Sequence, residues 1–232
     1  MNGSAWAILV VAKAPVAGEA KTRLGPWFTP TEAAGLAAAA LLDTLAAVRH
    51  TGVDTRVLAL SGDLARAERG TEIRSMLADF TVLRQKGRGF AERLIAAHAD
   101  AAAIAAAPVL QIGMDTPQVT PGLLTRAAAQ LTEPGIDAVL GAAVDGGWWA
   151  LGLSDPGTAT VLKRVAMSRG DTGANTLTAL RGTGRRVFEL PTLSDVDTPD
   201  DVWAVAMDMP PGTYFRNAAE RHRTAVDRTW TA

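Results

Sequence analysis

WAILVVAKAPVAGEAKTRLGP, residues 6–26, decides the fold. Its first seven residues are apolar without alternation, as in a strand buried on both faces of a parallel sheet. The run stops at Lys13, and Pro15, Gly18, Lys21, Thr22 and Arg23 follow on a loop with Glu19 as its one acid. The next stretch, TPTEAAGLAAAALLDTLAAVRH, opens with the capping box Thr29 and Glu32, with Pro30 in the first helical position. A buried strand, a cationic loop and a capped helix are the opening of an α/β domain, and the loop can either cradle a phosphate or stand as a solvated surface loop.

The rest of the chain repeats the alternation. TRVLAL (55–60), FTVLRQ (80–85), PVLQIGMD (108–115), DAVLGAAV (137–144) and RRVFEL (185–190) read as further strands. FAERLIAAHADAAAIAA, TPGLLTRAAAQL and TPDDVWAVAMDM read as helices, the last two with Thr120–Pro121 and Thr198–Pro199 at their starts. The expectation is an α/β fold, a three-layer α/β/α arrangement on a Rossmann-like, mostly parallel sheet. Residues 1–210 are expected to form a single nucleotide-binding domain, and 211–232 a helical tail that packs on the body or on a second subunit, which leaves a homodimer open.

Composition narrows the function classes. The chain has 232 residues, 48% hydrophobic and 20% charged, with a formal net charge of −1. Overall attraction to nucleic acid or to an anionic membrane is not indicated. The absence of cysteine removes disulfides, thiolate zinc sites and cysteine nucleophiles. His50, His98 and His222 are scattered; His50 suits a helix end and His98 a helix interior. The N-terminal apolar run is too short for a membrane span and lacks a basic lead, so a cytoplasmic protein is expected.

Ligands of open α/β sheets sit beyond the carboxyl ends of the strands, and the unusual segments fall there. The first loop offers Gly18 for close backbone approach, with Lys13, Lys21 and Arg23 as cations for phosphate; Ala20 before the Lys-Thr pair excludes a Walker A loop. QKGRGFAER supplies Gln85 and Arg93, and Glu92 in place of a third glycine removes the dinucleotide fingerprint. GMDTPQ puts Asp115 at a strand end, where a carboxylate suits Mg2+ or Mn2+ or caps the loop. In DVDTPDD, Asp200 and Asp201 fall in a helix's first turn, while Asp195 or Asp197 can face the cleft and complete a metal site with Asp115. VDGGWW offers Asp145, two glycines that leave room beside it, and Trp148 and Trp149, each of which also suits a core. No Gly-x-Ser-x-Gly elbow occurs.

In this order, AKAPVAGEAKTRLGP, GFAERL, IGMDTP, DGGWWALGL and DVDTPDD resemble the glycosyltransferase-A-like family DUF2064, related to the nucleotide-diphospho-sugar transferases. The likeness is more distant to the phospholactate and phosphoenolpyruvate guanylyltransferases, and the inserted Pro-Val-Ala-Gly stretch of the first loop departs from them. Relatives more often carry tyrosines where this chain has Trp148 and Trp149.

The resemblance implies a nucleotide-diphospho-sugar transferase fold. It implies nucleotide binding by Lys13, Gly18, Lys21, Arg23, Gln85 and Arg93, and metal binding by Asp115 and Asp197. It also implies acceptor binding by Asp145, Gly146, Gly147 and Trp148, and catalysis by Asp145, Lys21 and Asp115. The expected partners are a nucleotide or nucleotide-sugar and a small-molecule acceptor. Glycosyl transfer leads, with nucleotidyl transfer to a phosphorylated acceptor second. A non-catalytic nucleotide-binding module and a divergent dehydrogenase are the readings from other classes.

Overall fold

The computed structural model describes residues 6–25 and 27–230, with side chains to 223; Pro26, the end of the quoted loop, lies outside the described residues. Among the described residues, seven strands form one sheet in the order β3-β2-β1-β4-β6-β5-β7. They are β1 (Ala7–Lys13), β2 (Thr55–Ser61), β3 (Thr81–Arg84), β4 (Val109–Gly113), β5 (Ala138–Ala143), β6 (Trp148–Leu153) and β7 (Val187–Leu193). β6 runs antiparallel to β4 and β5, and the other pairings are parallel. Because Val11 lies opposite both Ala59 and Gly113, the carboxyl ends of β1, β2 and β4 are level. Their three loops therefore open onto one rim.

Among the described residues, seven α-helices accompany the sheet: α1 (Pro30–Arg49), α2 (Gly70–Met76), α3 (Phe90–Ala105), α4 (Pro121–Gln130), α5 (Thr172–Gly182), α6 (Pro199–Asp208) and α7 (Tyr214–Trp230). Alternation along β1 divides the core. Ile8, Val10 and Ala12 pack with α1 and α4, while Ala7, Leu9 and Val11 pack with α3 and α5. This is the three-layer arrangement expected from the doubly apolar strands.

The capping boxes form as expected. Thr29 Oγ1 accepts from the Glu32 N–H, and the Thr29 N–H donates to the Glu32 carboxylate at 2.8 Å; Thr198 and Asp201 do the same at α6. Thr120 caps α4.

Helix α1 is long and apolar enough by composition to cross a membrane, yet it is a core helix. Leu41, Leu42 and Leu45 face the sheet, and Ala33, Leu36 and Ala40 face a third cluster built with α6 and α7. The tail helix α7 is seated there by buried Phe215 and Ala219. Its first N–H groups, on Tyr214 and Phe215, donate to the buried Asp43 carboxylate at 3.0 and 2.7 Å. A carboxylate from α1 thus caps the helix, while the hydroxyl of Thr213, the cap-type residue before it, donates to the Pro210 carbonyl instead.

Three elements were not legible in the sequence: β6, α2 and α5. β6 follows β5 through the tight turn at Asp145–Gly147 and inserts between β5 and β4, which makes the sheet mixed. Its WWALGL run is as apolar as a core segment of any kind, so periodicity alone does not mark it as a strand. Trp149 is fully buried there, with its indole N–H donating to the Pro191 carbonyl at 2.9 Å and its ring over Gly141, where a Cβ would collide with it.

His98, on α3, is completely buried. Burial pushes its imidazole down to about 4, only partly opposed by the nearby Gln111 amide. The folded state therefore holds a neutral ring that the unfolded chain protonates near pH 6.5. This contribution is intact above pH 6.5 and is lost as pH falls from there to about 4, by about 3 kcal/mol in all. His98→Leu is expected to remove it. The stability gap between variant and wild type, from urea unfolding at each pH, should widen between pH 6.5 and 4 and level off below.

Candidate functional site

The rim carries a cleft of about 690 Å³. Of the residues singled out in the sequence, Lys13, Lys21, Arg23, Gln85, Arg93, Asp115, Asp145, Gly147, Trp148 and Asp197 line it. Asp195, Gln111, Thr116, Phe90, Met167 and Arg169 are brought to the same walls.

The first loop folds over the end of β1 and turns inward at Lys21. This residue adopts the left-handed conformation, φ 49° and ψ 41°, which costs a non-glycine residue about 1–2 kcal/mol. The conformation directs a side chain only 9% exposed into the acidic end of the cleft, where Nζ lies 2.6 Å from Asp115 Oδ1 and 2.9 Å from Asp197 Oδ1. Burial alone would lower the ammonium's pKa, but the two carboxylates outweigh it and hold the group above its ordinary value. Arg23 adds a contact of 3.0 Å to Asp197 Oδ2 from an exposed position. Burial tends to raise Asp197, yet Lys21 and Arg23 together hold it below the usual carboxylate range. Lys13 Nζ donates to the Glu19 carbonyl at 2.7 Å and closes the loop on itself.

Gly18, at φ 77°, provides the loop's turn outside the cleft lining. Gln85 donates to the carbonyls of Ala12 and Ala59 at 2.8 and 2.9 Å, which clamps β3 to the ends of β1 and β2. Arg93 leans on the Gly87 carbonyl at 3.3 Å.

The loop after β7 meets the loop after β4 through backbone: the Val196 N–H donates to the Asp115 carbonyl at 3.0 Å. Gln118 fastens the same junction by donating to the Ser194 carbonyl. Asp195 and Asp197 are thereby both turned toward the cleft, where the sequence left open which of them faces it. Carboxylate oxygens of Asp145, Asp195 and Asp197 come within 4.8 Å of one another. Asp115 joins this group through Lys21. Burial, and then the negative neighbours Asp145 and Asp197, push Asp195 up to about 6.

The two glycines after Asp145 divide their roles. Gly147 lines the cleft and donates its N–H to Asp145 Oδ1 at 2.7 Å. Gly146, at φ 88°, lies against the Gly170 carbonyl, where a Cβ would collide; its glycine is required by this packing. The contact brings in the turn before α5, with Met167, Ser168 and Arg169, which carries no periodic or motif signal in the sequence.

Hard oxygen donors in a cluster that repels itself are the donor set of a magnesium or manganese ion. An ammonium already held between two of the carboxylates shows that this place favours a cation. The residues present therefore fit a divalent ion, and the carboxylates grouped closely enough to hold one together are Asp145, Asp195 and Asp197, with Asp115 tied to them through Lys21.

Residues 44–169 match the family DUF2064, described as an uncharacterized protein conserved in bacteria. No curated protein matches the chain. Among solved structures it is similar to a protein of Desulfovibrio desulfuricans G20 described as a candidate nucleotide-diphospho-sugar transferase. The two are 25% identical over 98% of this chain and 99% of that one, with a TM-score of 0.83. The fold is also that of Rv0371c from Mycobacterium tuberculosis H37Rv, solved in complex with manganese, at 22% identity, 89% and 100% coverage and a TM-score of 0.54. A 4-diphosphocytidyl-2C-methyl-D-erythritol synthase from Anaerococcus prevotii DSM 20548 shares it at 10% identity, 89% and 96% coverage and a TM-score of 0.58. The chain has the α/β fold of the nucleotide-diphospho-sugar transferases.

Two substitutions probe the acid cluster. Asp195→Asn removes one charge from the repelling group and is expected to stabilise the metal-free protein at pH 8 by about 1 kcal/mol, while weakening Mn2+ binding; thermal unfolding in chelator and titration calorimetry with MnCl2 read the two effects. Lys21→Met leaves Asp115 and Asp197 facing each other and is expected to cost about 2 kcal/mol in chelator, discounted for their partial exposure. Added Mn2+ should recover more stability in that variant than in wild type.

Proposed function

The chain belongs to the DUF2064 family, and from that premise we propose that it is a metal-dependent transferase that moves a glycosyl group from a nucleotide-diphospho-sugar to a small-molecule acceptor, acting in the cytoplasm. The observation that carries the reading is the junction of the cationic first loop with the four carboxylates Asp115, Asp145, Asp195 and Asp197 at one end of a single cleft. A donor diphosphate needs positive charge along one side and a divalent ion at its leaving oxygens, and both requirements meet there.

In this reading Lys13, Lys21 and Arg23 bind the diphosphate, and Gln85 and Arg93 lie on its nucleoside side. The acceptor hydroxyl oxygen attacks the anomeric carbon of the donor. The bond from that carbon to the diphosphate oxygen breaks, and the nucleoside diphosphate leaves with the electron pair. The hydroxyl proton passes to Asp145, which Gly147 already orients through one carboxylate oxygen. A divalent ion at Asp115 and Asp197 would supply neutralisation of the charge that grows on the leaving group. Lys21 and Arg23 add fixed positive potential at the same end.

Nucleotidyl transfer is the second reading, favoured by one observation. Arg169 brings a largely exposed guanidinium to the Asp145 side of the cleft, where it would hold an acceptor phosphate that attacks the α-phosphorus of a triphosphate. An ionised acceptor needs no base, so that route leaves Asp145 without a proton to take.

Thermal unfolding against nucleoside triphosphates, diphosphates and nucleotide-sugars, each with and without Mn2+, separates these readings. A ligand at about a hundred times its dissociation constant adds about 2.7 kcal/mol, a rise of roughly 5–10 °C for a chain of this size. A Mn2+-dependent rise with a nucleotide-sugar or its diphosphate is the expected result. A rise with triphosphates alone would transfer the assignment to nucleotidyl transfer, and no nucleotide-dependent rise would end both. Once a donor is known, Asp115→Asn is expected to lower metal-dependent turnover by about a hundredfold with the fold intact by circular dichroism; unchanged turnover would remove Asp115 from the site.

A further inference from the structure

Strand β4 reads VLQIG, and its centre is an amide. Leu110 and Ile112 face α1 and α4, so Gln111, with Val109, faces the side of α3. It is 1% exposed, and both Nε2 and Oε1 are buried without a hydrogen-bond partner. The His98 imidazole beneath is close enough to feel the amide, yet the two do not meet the geometry of a hydrogen bond. An apolar side chain of similar shape would fill this position at lower cost, because an unsatisfied buried amide loses its water and gains nothing in return.

What Gln111 touches gives the amide a use. It is among the residues that line the cleft, together with Val11, Leu94, Trp148 and Met167. An indole wall beside a planar group that both donates and accepts matches a sugar ring, whose C–H face lies on aromatic carbon and whose adjacent hydroxyls each donate and accept. The strand order settles which part of a nucleotide-sugar would reach it. β4 and β6 lie on the opposite side of β1 from β2 and β3, so Gln111 shares a side with Trp148 and Asp145 and is separated from Gln85 by the phosphate loop.

We propose that Gln111 is a specificity-determining residue that reads a pair of adjacent hydroxyls on the donor's sugar ring, seated against Trp148. This rests on the glycosyl-transfer reading above.

The test compares nucleoside diphosphates with the matching nucleotide-hexoses, UDP with UDP-glucose, GDP with GDP-mannose and ADP with ADP-glucose, by titration calorimetry on the full chain with Mn2+. Gln111→Met is expected to weaken the preferred nucleotide-hexose about tenfold, the worth of a lost hydrogen-bonded pair, and to leave the matching diphosphate within about twofold. Its unliganded melting temperature should equal or exceed that of wild type, which a merely structural amide would not allow. Gln111→Asn keeps the amide one methylene back; an intermediate loss is expected, and it serves in place of the Met variant if that variant folds poorly. Equal losses for diphosphate and nucleotide-hexose, or no loss for either, would overturn the role of Gln111 while leaving the transferase reading in place. Failure of wild type to bind any of these nucleotides with Mn2+ would overturn both.

Discussion

The interaction on which the site depends is the buried ammonium of Lys21 between Asp115 and Asp197. It joins three loops that are far apart in sequence, after β1, β4 and β7. The ammonium offsets the repulsion between its two carboxylates, and they in turn offset the cost of burying it. The left-handed backbone at Lys21 is the local cost of aiming that side chain inward. Asp195 and Asp145 crowd against the same point, so the site retains more negative charge than Lys21 balances, and that excess is what a divalent ion would answer.

The sheet makes this juxtaposition geometrically possible. Parallel β1, β2 and β4 end level, and antiparallel β6 brings its beginning, at Trp148, to the same rim. The β5–β6 turn is held by the Gly146–Gly170 contact, so this side of the cleft is framed by two turns packed backbone to backbone. The cleft is therefore lined by cations, carboxylates and apolar side chains, with Gln111, Thr116 and Thr172 as its buried polar residues.

Stability and function pull apart in the same residues. Asp195, pushed up to about 6 by burial and like charge, and Gln111, buried without a partner, each leave the unliganded fold less stable than a plainer residue would. His98 is a third such group, but it is not among the residues that line the cleft. By contrast, Asp43 shows a buried carboxylate used structurally: burial raises it, and the N–H groups of α7 and the charge of Arg69 counter that rise.

The sequence by itself determined the fold class, because doubly apolar strands, Thr-Pro caps and glycine-bearing strand-end loops are local signals that tertiary contacts did not override. It also marked Lys13, Lys21, Arg23, Asp115, Asp145 and Asp197 as residues of one rim, since chemistry-bearing residues at strand ends stand out against an apolar background. Tertiary structure alone decided that β6 enters the sheet antiparallel, as WWALGL has no period that distinguishes strand from other core. Only the fold could set Asp195 beside Asp145, a proximity created by the order β6-β5-β7 and by the Val196–Asp115 backbone bond. Gln111 was not singled out in the sequence, because whether an amide within VLQIG meets a partner or a cavity depends on α3 and β6. Charges and periods are written along the chain; which of them end up within a few ångströms of each other is fixed by pairing order and packing.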